Sequence, residues 1–571
     1  METILARSPT AKYKGQKRPA REKAQKRFDR LFRKREPYER WWKEIRKYEL
    51  PFHGDFEENK ARGESEEIYN STARDAAAIF AGGVMSGLTP PSRQWFKLAL
   101  AGKDTPKEAG IILDERQAIM QNVLARSNFY HAVYSCYHDL PFGQAPLGIF
   151  SAADGVHFMH YPIGSYALDT DATGRVNTFA RKVRMTAAQI VEQFGEDNAP
   201  QTVRDAAKNK SDRVFVVCWL VEPNTERRGG RLGPQSMPYR SLYWVEGSPT
   251  DEYLALGGME EWPVPVARYQ VIGLEPYAKG AGWYALADSK MLQVMERDIL
   301  TAIEMGIKPP MQTSGATSPS VNMFPGGVTV NAVADGVRPL FDVQLNVQAV
   351  QAKIEQTEQK VRRAYAADLF LMLDQIERGQ MTAREIMERT QEKLQQLGPV
   401  VERLQYEFLN PTLERVYGIL DRGGVFPPLP PELAEQLGEE EVRIEYISPL
   451  AQAQKMSGLI NIEQTLAFAG QVAQMFPEVL TKIDAMAMLD VYHDNIGAPA
   501  AMLRSTEEAQ QIIAQQQEAQ QQEEAQAAQM ASIQQAAPLA QAAKNLTDAA
   551  NDGNPAIREW LGMPNAGGGA P

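Results

Sequence analysis

Apolar positions recur at helical spacing along three long stretches in the middle of the chain, and at alternate positions along a series of shorter runs before them. The first long stretch, from Trp283 to Lys308, stops at Pro309-Pro310. The second starts near Asn346 and runs to about Leu373. After a break at 374–381, a third opens at Thr382-Ala-Arg-Glu385, which has capping-box form, and continues past Pro411 towards Gly424. A Pro/Gly-rich excursion, 311–345, separates the first two. Helices this long, with mixed polar faces and few large apolar residues, do not enclose one compact core. They are predicted to be walls that pack beside copies of themselves.

Earlier in the chain, a helix is predicted from near Pro19, disturbed at Pro37 and ended before Pro51. Another begins around Asn70-Ser-Thr and closes at Pro90-Pro91; its small residues Ala73, Ala77, Gly83 and Gly87 leave room for close approach of a neighbouring helix. A third covers about Pro106 to Asp139. From Gly143 the pattern changes to period-two runs punctuated by Gly, Asp and Asn, which predicts antiparallel sheet. The strands are Leu147–Ala152, Val156–Tyr161, Ser165–Thr170, Val176–Val183, Val214–Glu222, Ser241–Val245 and Val264–Val271. A short helix interrupts them, with Thr186 as N-cap and Gly195 at its C-terminal end. The fold class is therefore α+β.

Beyond the Pro427–Pro431 cluster the pattern gives a strand at Val442–Ile447, then helices at about Pro449–Met475, Pro477–Leu489 and Pro499–Leu503. A Gln/Ala/Glu-rich run follows from Ser505 to about Leu546, opening on the capping-box form Ser505-Thr-Glu-Glu508. Its helix propensity is high and its large apolar residues are few, so it reads as an extended helix supported by copies, with a disordered tail as the alternative. The last residues, Asn565 to Pro571, are expected to be disordered.

At 571 residues the chain is too long for one core. No apolar run approaches the roughly 20 residues that span a bilayer. The N-terminal segment lacks an apolar h-region, so secretion is not expected. Cys136 and Cys218 stand far apart without metal-ligand spacing, which fits a reducing compartment. The net charge of −11 is uneven, with a densely basic stretch from Ala11 to Lys47. That stretch reads either as a nucleic-acid-binding arm or, because Phe28, Leu31, Trp42 and Ile45 interleave it at helical spacing, as a solvated or assembly-facing helix. The second reading carries more weight.

Searches for chemistry are mostly negative. There is no phosphate loop, no GxGxxG, no GxSxG and no HExxH. His157 and His160 fall in a strand-like run, where residues three apart face opposite sides and do not converge on one metal. No catalytic residue, metal site or cofactor is expected.

Several segments, in this order, resemble the portal proteins (head-to-tail connectors) of short-tailed bacteriophages. They are Tyr69 to Leu98, Ser127-Asn-Phe-Tyr130, Arg184 to Gly195, Ala285 to Leu292 leading to Pro309-Pro310, Pro325-Gly-Gly, Met381-Thr-Ala-Arg-Glu385 and Ser448 to Gln454. The resemblance implies a portal fold: a flexible basic N-terminus (1–18), an α+β wing (19–282), stem helices (283–310 and 346–373) around a small β-containing clip (311–345), and a tunnel loop (374–381). A long kinked helix returning to the wing (382–447), a helical crown (448–504), a Gln-rich barrel or tail (505–546) and a disordered end (547–571) would complete it.

The resemblance also implies a homo-oligomeric ring of about twelve copies at one capsid vertex, in the virion after assembly in the host cytoplasm. Double-stranded DNA would pass through it. Terminase motor, tail adaptor and tail proteins, major capsid protein and scaffolding protein would be its partners, with no membrane. On this resemblance Asp374, Gln375, Glu377, Arg378 and Gln380 would line the channel. They are close to charge-balanced, so they would touch phosphate without trapping it. Arg378 is alternatively an i,i+4 partner of Asp374. Glu296, Asp298, Glu304, Lys353, Lys360, Arg362 and Arg363 would form intersubunit pairs, or else face the lumen. Phe324, Pro325, Val328, Val330, Val333 and Arg338 would serve clip contacts, with Val328–Val333 pairing to a neighbour. Two rival readings are a helical scaffold or adaptor that oligomerises through its Gln-rich segment, and a metal-dependent nuclease.

Overall fold

The computed structural model describes residues 21–56, 68–100, 107–152, 155–209, 212–227, 236–248, 253–314, 322, 324–331, 338–340, 347–371, 397–427, 442–448, 465–473, 506–551 and scattered shorter stretches beyond 473. Two compact units divide the chain, one formed by 1–484 with 488–497 and the other by 485–487 with 498–571.

The first unit begins with α1 (Arg21–Tyr48), which runs unbroken through Pro37, where the sequence predicts a disturbance. Pro37 and Arg33 both lie on the exposed side of the helix, where a carbonyl without its intrahelical donor is open to solvent, and the helix continues. α2 (Thr72–Leu88) is followed by β1 (Phe96–Leu100), a strand with no counterpart in the sequence reading. The single helix expected over 106–139 is two helices, α3 (Lys107–Arg126) and α4 (Phe129–Asp139). They part where Asn128 bonds the backbone of Phe158 from both ends of its amide, Nδ2 donating to the carbonyl (2.7 Å) and Oδ1 accepting from the N–H (2.9 Å).

Next come β2 (Gln144–Ala152), β3 (Gly155–His160), β4 (Tyr166–Thr170) and β5 (Val176–Thr186). The helices α5 (Ala187–Phe194) and α6 (Gln201–Lys208) separate these from β6 (Val214–Pro223), β7 (Tyr239–Val245), β8 (Ala255–Met259) and β9 (Val266–Arg268). Strands β4 to β8 form an antiparallel meander in sequence order, and β3-β2-β9 form a second sheet. Thr186 and Gln189 make the reciprocal capping box that starts α5, and Gly195, at φ +86°, ends it.

The centre of the meander is buried on both faces, and the alternation along β6 shows how. Phe215, Val217, Trp219 and Val221 enter the main core. Cys218 and Leu220 point the other way, against Ala24, Phe28 and Leu31 of α1. The basic residues of α1 reinforce this seat. Arg27 forks onto Glu222 (2.8 and 2.6 Å), Lys34 pairs with Asp169 (3.1 Å), and Arg35 donates to the carbonyls of Gly164 and Tyr166 (2.7 and 2.9 Å). Three residues of the basic stretch, Arg27, Lys34 and Arg35, therefore help hold a helix to a sheet.

After β9 come α7 (Ala281–Ile307), the strands β10 (Met311–Ser314), β11 (Val328–Asn331) and β12 (Arg338–Pro339), and α8 (Val347–Ala364). The helix expected to run on to Leu373 breaks at Tyr365-Ala366, with a further helical turn at 367–371. Residues 397–404 are helical and pass through a π-helical turn, Gln405–Leu409, into α9 (Asn410–Arg422). That turn carries Glu407, which meets the buried Arg268 at 2.5 Å. Finally β13 (Val442–Tyr446) pairs antiparallel with β1, Phe96 opposite Tyr446. The second unit holds α10 (Thr506–Asn551), 46 residues long and thus about 69 Å, with almost every described side chain exposed. Most of the helices expected over 449–503, and Ser505 of the capping box, lie outside the described residues.

At the end of α4, Asp139 is 2% exposed and accepts from three elements. His160 Nε2 lies 3.0 Å from Oδ2, the Ile163 N–H donates to the same oxygen at 3.0 Å, and His53 Nδ1 lies 3.3 Å from Oδ1. Burial pushes the carboxyl's pKa up, but the bonds and charge of His160 and His53 outweigh it and hold the group down at about 2. A carboxyl lowered from an ordinary 3.8 contributes stability that is present above about pH 4 and lost as pH falls through the folded value. Asp139→Asn is expected to lower stability at neutral pH by about 2 kcal/mol and to flatten the decline between pH 4 and 2. Denaturation curves of both proteins across that range check it.

Candidate assembly surface

α7 and α8 lie against each other, and α7 is rooted in the core only at its beginning. Ala281, Gly282, Ala285, Leu286, Ser289, Leu292 and Gln293 are buried, whereas from Val294 to Lys308 no residue is. On α8 the buried stripe is Ile354, Thr357 and Val361, at helical spacing. Around the outer half of α7, Val294 (45%), Leu300 (50%), Ile303 (46%) and Ile307 (72%) stand exposed beside charged neighbours. Apolar residues this large and this uncovered along one helix mark a surface that meets another molecule.

A polar clamp fixes the root. The Gln293 side chain accepts from the N–H groups of Tyr69 (2.6 Å) and Asn70 (2.9 Å) and donates to the Asn70 carbonyl (2.9 Å). The Asn70 amide in turn donates to Glu296 (3.1 Å) and Glu358 (2.9 Å), and its oxygen accepts from the Thr72 N–H (2.9 Å). One buried asparagine thus joins the start of α2 to both α7 and α8. The sequence marks Asn70 only as a helix start; nothing local tells which distant helices its side chain will reach.

The charged residues proposed for intersubunit or lumenal roles are placed unevenly. Glu296 is engaged within the chain by Asn70. Lys360 approaches Asp288 of α7 at 3.9 Å, and Lys353 donates to Gln356 at 3.2 Å. Asp298 pairs with its neighbour Arg297 at 3.3 Å, both more than half exposed. Glu304, Arg362 and Arg363 are exposed, the two arginines in the last turn of α8, where the helix dipole favours cations.

Between the helices, β10 is the centre of a three-stranded sheet, parallel to β11 and antiparallel to β12. Val328 and Val330 therefore sit on a strand that pairs within its own chain, and that strand ends at Asn331. Arg338 lies on β12. Phe324 (78%) and Val328 (57%) are exposed, and Pro325 stands in the turn before β11. Val333 lies outside the described residues, as do Asp374, Gln375, Glu377, Arg378 and Gln380.

His160 is bound to Asp139 and His157 sits opposite Phe150 in the β2–β3 register, so the strand separates them as its alternation requires. Among the described residues no group of three or more His, Cys, Asp or Glu side chains is arranged to hold a metal ion. Cys136 and Cys218 are buried, and burial raises both thiols.

The family of bacteriophage head to tail connecting proteins matches this chain over residues 21–503. The chain belongs to that family. It is 34% identical over 505 residues to the portal protein of Salmonella phage epsilon15, covering 86% of this chain and 90% of the relative. It is 31% identical over 511 residues to the probable portal protein of Bordetella phage BPP-1, covering 86% and 91%. The connector match takes in the whole α7–α8 region and stops just before α10.

The clamp gives this region a measurable weak point. Asn70→Ala removes the side-chain bonds to Glu296, Glu358 and the Thr72 N–H in a half-buried setting, while the backbone bonds to Gln293 remain, and is expected to cost about 2–3 kcal/mol. Thermal unfolding, with hydrogen exchange over 281–300, reads whether the loss falls at the root of the helix pair.

Proposed function

We propose that this chain is the portal subunit of a short-tailed phage: a ring at one capsid vertex through which DNA is packaged and ejected, and on which the terminase motor and the tail dock. The observation that carries the reading is the likeness to portal proteins along nearly the whole chain. The ring works by assembly and not by catalysis. In it, residues 19–282 form the wing, α7 and α8 the stem, and the β10–β12 sheet the clip, meeting motor and tail through Phe324 and its neighbours. Residues 374–381 face the DNA, with Arg378 as a transient phosphate contact.

The exposed half of α7 supports the ring reading. Val294, Leu300, Ile303 and Ile307 are uncovered in one copy and would be covered by the stem of the next. Arg362 and Arg363 then meet Asp298 and Glu304 of a neighbour. α10 packs with its equivalents as a barrel, since a lone helix of its composition is marginal in water.

Electron microscopy of the purified full-length protein tests the reading. Rings with a central hole wide enough for duplex DNA are expected, whereas monomers or solid bundles would sink it. Ile303→Glu is expected to leave unfolding of the isolated subunit within about 0.5 kcal/mol, because the site is half exposed. The same change should shift the protein from rings to smaller species in light scattering. Truncation after Arg504 separates this reading from a scaffold held together by its Gln-rich helix: rings persist in the first case, and the second predicts monomers.

A further inference from the structure

At the point where α8 ends, a buried acid faces a buried phenol. Glu49, 1% exposed at the end of α1, accepts a hydrogen bond from the hydroxyl of Tyr365, itself fully buried, at 2.7 Å. The other carboxyl oxygen, Oε1, is buried without a hydrogen-bond partner. The floor of the site is the first turn of α7, where a methyl group on Gly282 would come within 2.8 Å of the carboxyl. Three elements therefore close on this one group.

The chain bends immediately afterwards. Ala366 has φ +51°, making it the one non-glycine residue in the left-handed region among those described. An alanine does not adopt that conformation without tertiary contacts that impose it. Two such contacts flank it. On one side is the Tyr365–Glu49 bond. On the other, Phe370 lies so close over α2 that a Cβ on Gly83 would fall 2.1 Å from its ring, and it meets Phe80 edge-on at 5.8 Å.

The geometry points to a latch: the neutral carboxyl of Glu49, by holding Tyr365, fixes the bend at Ala366 between α8 and the turn 367–371, and ionising Glu49 releases it. A carboxylate in this setting would be buried with hydroxyl neighbours but no cation to balance its charge. Of the groups acting on Glu49, Ser289 comes from α7 and Tyr365 from the end of α8, and neither is a cation. On its own helix, Arg46 lies over the Phe56 ring and donates to the Pro51 carbonyl, while Glu44 is engaged by Lys290. When the charge appears, the strained bend is the element with least to lose, because Ala366 relaxes to ordinary helical geometry as it straightens.

Burial drives the Glu49 carboxyl up to about 8, and its polar neighbours Tyr365 and Ser289 offset only part of that. The sign follows. A raised folded value means that the latched state's advantage is full below the ordinary 4.5 and lost as pH rises through about 8.

Hydrogen exchange on the full-length protein, with intrinsic rates divided out, tests the latch between pH 6 and 9.5. Protection of the amides of 365–371 should fall about tenfold or more in the wild type across that range, and stay flat in Glu49→Gln. Tyr365→Phe should be open already at pH 6. Ala366→Gly, which alters neither latch side chain and removes the strain, should move the opening to higher pH, and it guards against misfolding of the Glu49 variant. Wild-type protection that does not change with pH overturns the proposal. So does a Glu49→Gln protein that opens like the wild type, or an Ala366→Gly midpoint that does not move.

Discussion

A pair of long helices whose outer half is bare must be held at one end, and the polar clamp at Asn70 and Gln293 meets that constraint. Apolar packing alone would set the depth of α7 in the core but would tolerate rotation about its axis. Hydrogen bonds do not. By joining the start of α2 to Gln293 and Glu296 on one helix and Glu358 on the other, the clamp fixes both the rotation of α7 and the register of α8 against it. The exposed face of α7, and so whatever that face meets, inherits its orientation from these few bonds.

The same economy appears at the other junctions. Asp139 ties α4 to β3, to the loop after β3 and to the segment after α1, and Arg268 ties β9 to the π-helical turn before α9. Each is a buried charge whose partners come from distant parts of the chain. Such a group contributes little net stability over an apolar replacement, but it strongly penalises any arrangement that leaves it unpaired. In a subunit whose exposed faces are set by how its elements are oriented, that selectivity matters more than the kilocalories.

The elements that could be read from sequence are those whose signal is local. The alternation of Val214–Glu222, the Thr186 cap with Gln189, and the proline stop after Ile307 all lie within a few residues of what they determine. What could not be read is set from afar. β1 is a short strand whose partner begins some 340 residues later, and β8 carries Gly257-Gly258 in an edge position, which hides its period. The break at Ser127-Asn128 depends on Phe158, and the bend at Ala366 on Glu49 and Gly83. The candidate surface divides in the same way. The long α7 and α8 were evident as helices, whereas the clamp at their root and the intrachain partners of Glu296 and Lys360 emerged only from the packing.

The β1–β13 pair has a bearing on synthesis. Phe96 emerges from the ribosome long before Tyr446, so throughout most of translation β1 has backbone donors and acceptors ready and no strand to receive them. The chain's own order of production thus leaves an open sheet edge in the nascent subunit, the kind of edge on which unfinished chains pair with one another. Only when residues 442–446 are available does the subunit seal that edge, so a complete chain, and not merely a folded amino-terminal half, is what can safely accumulate before assembly.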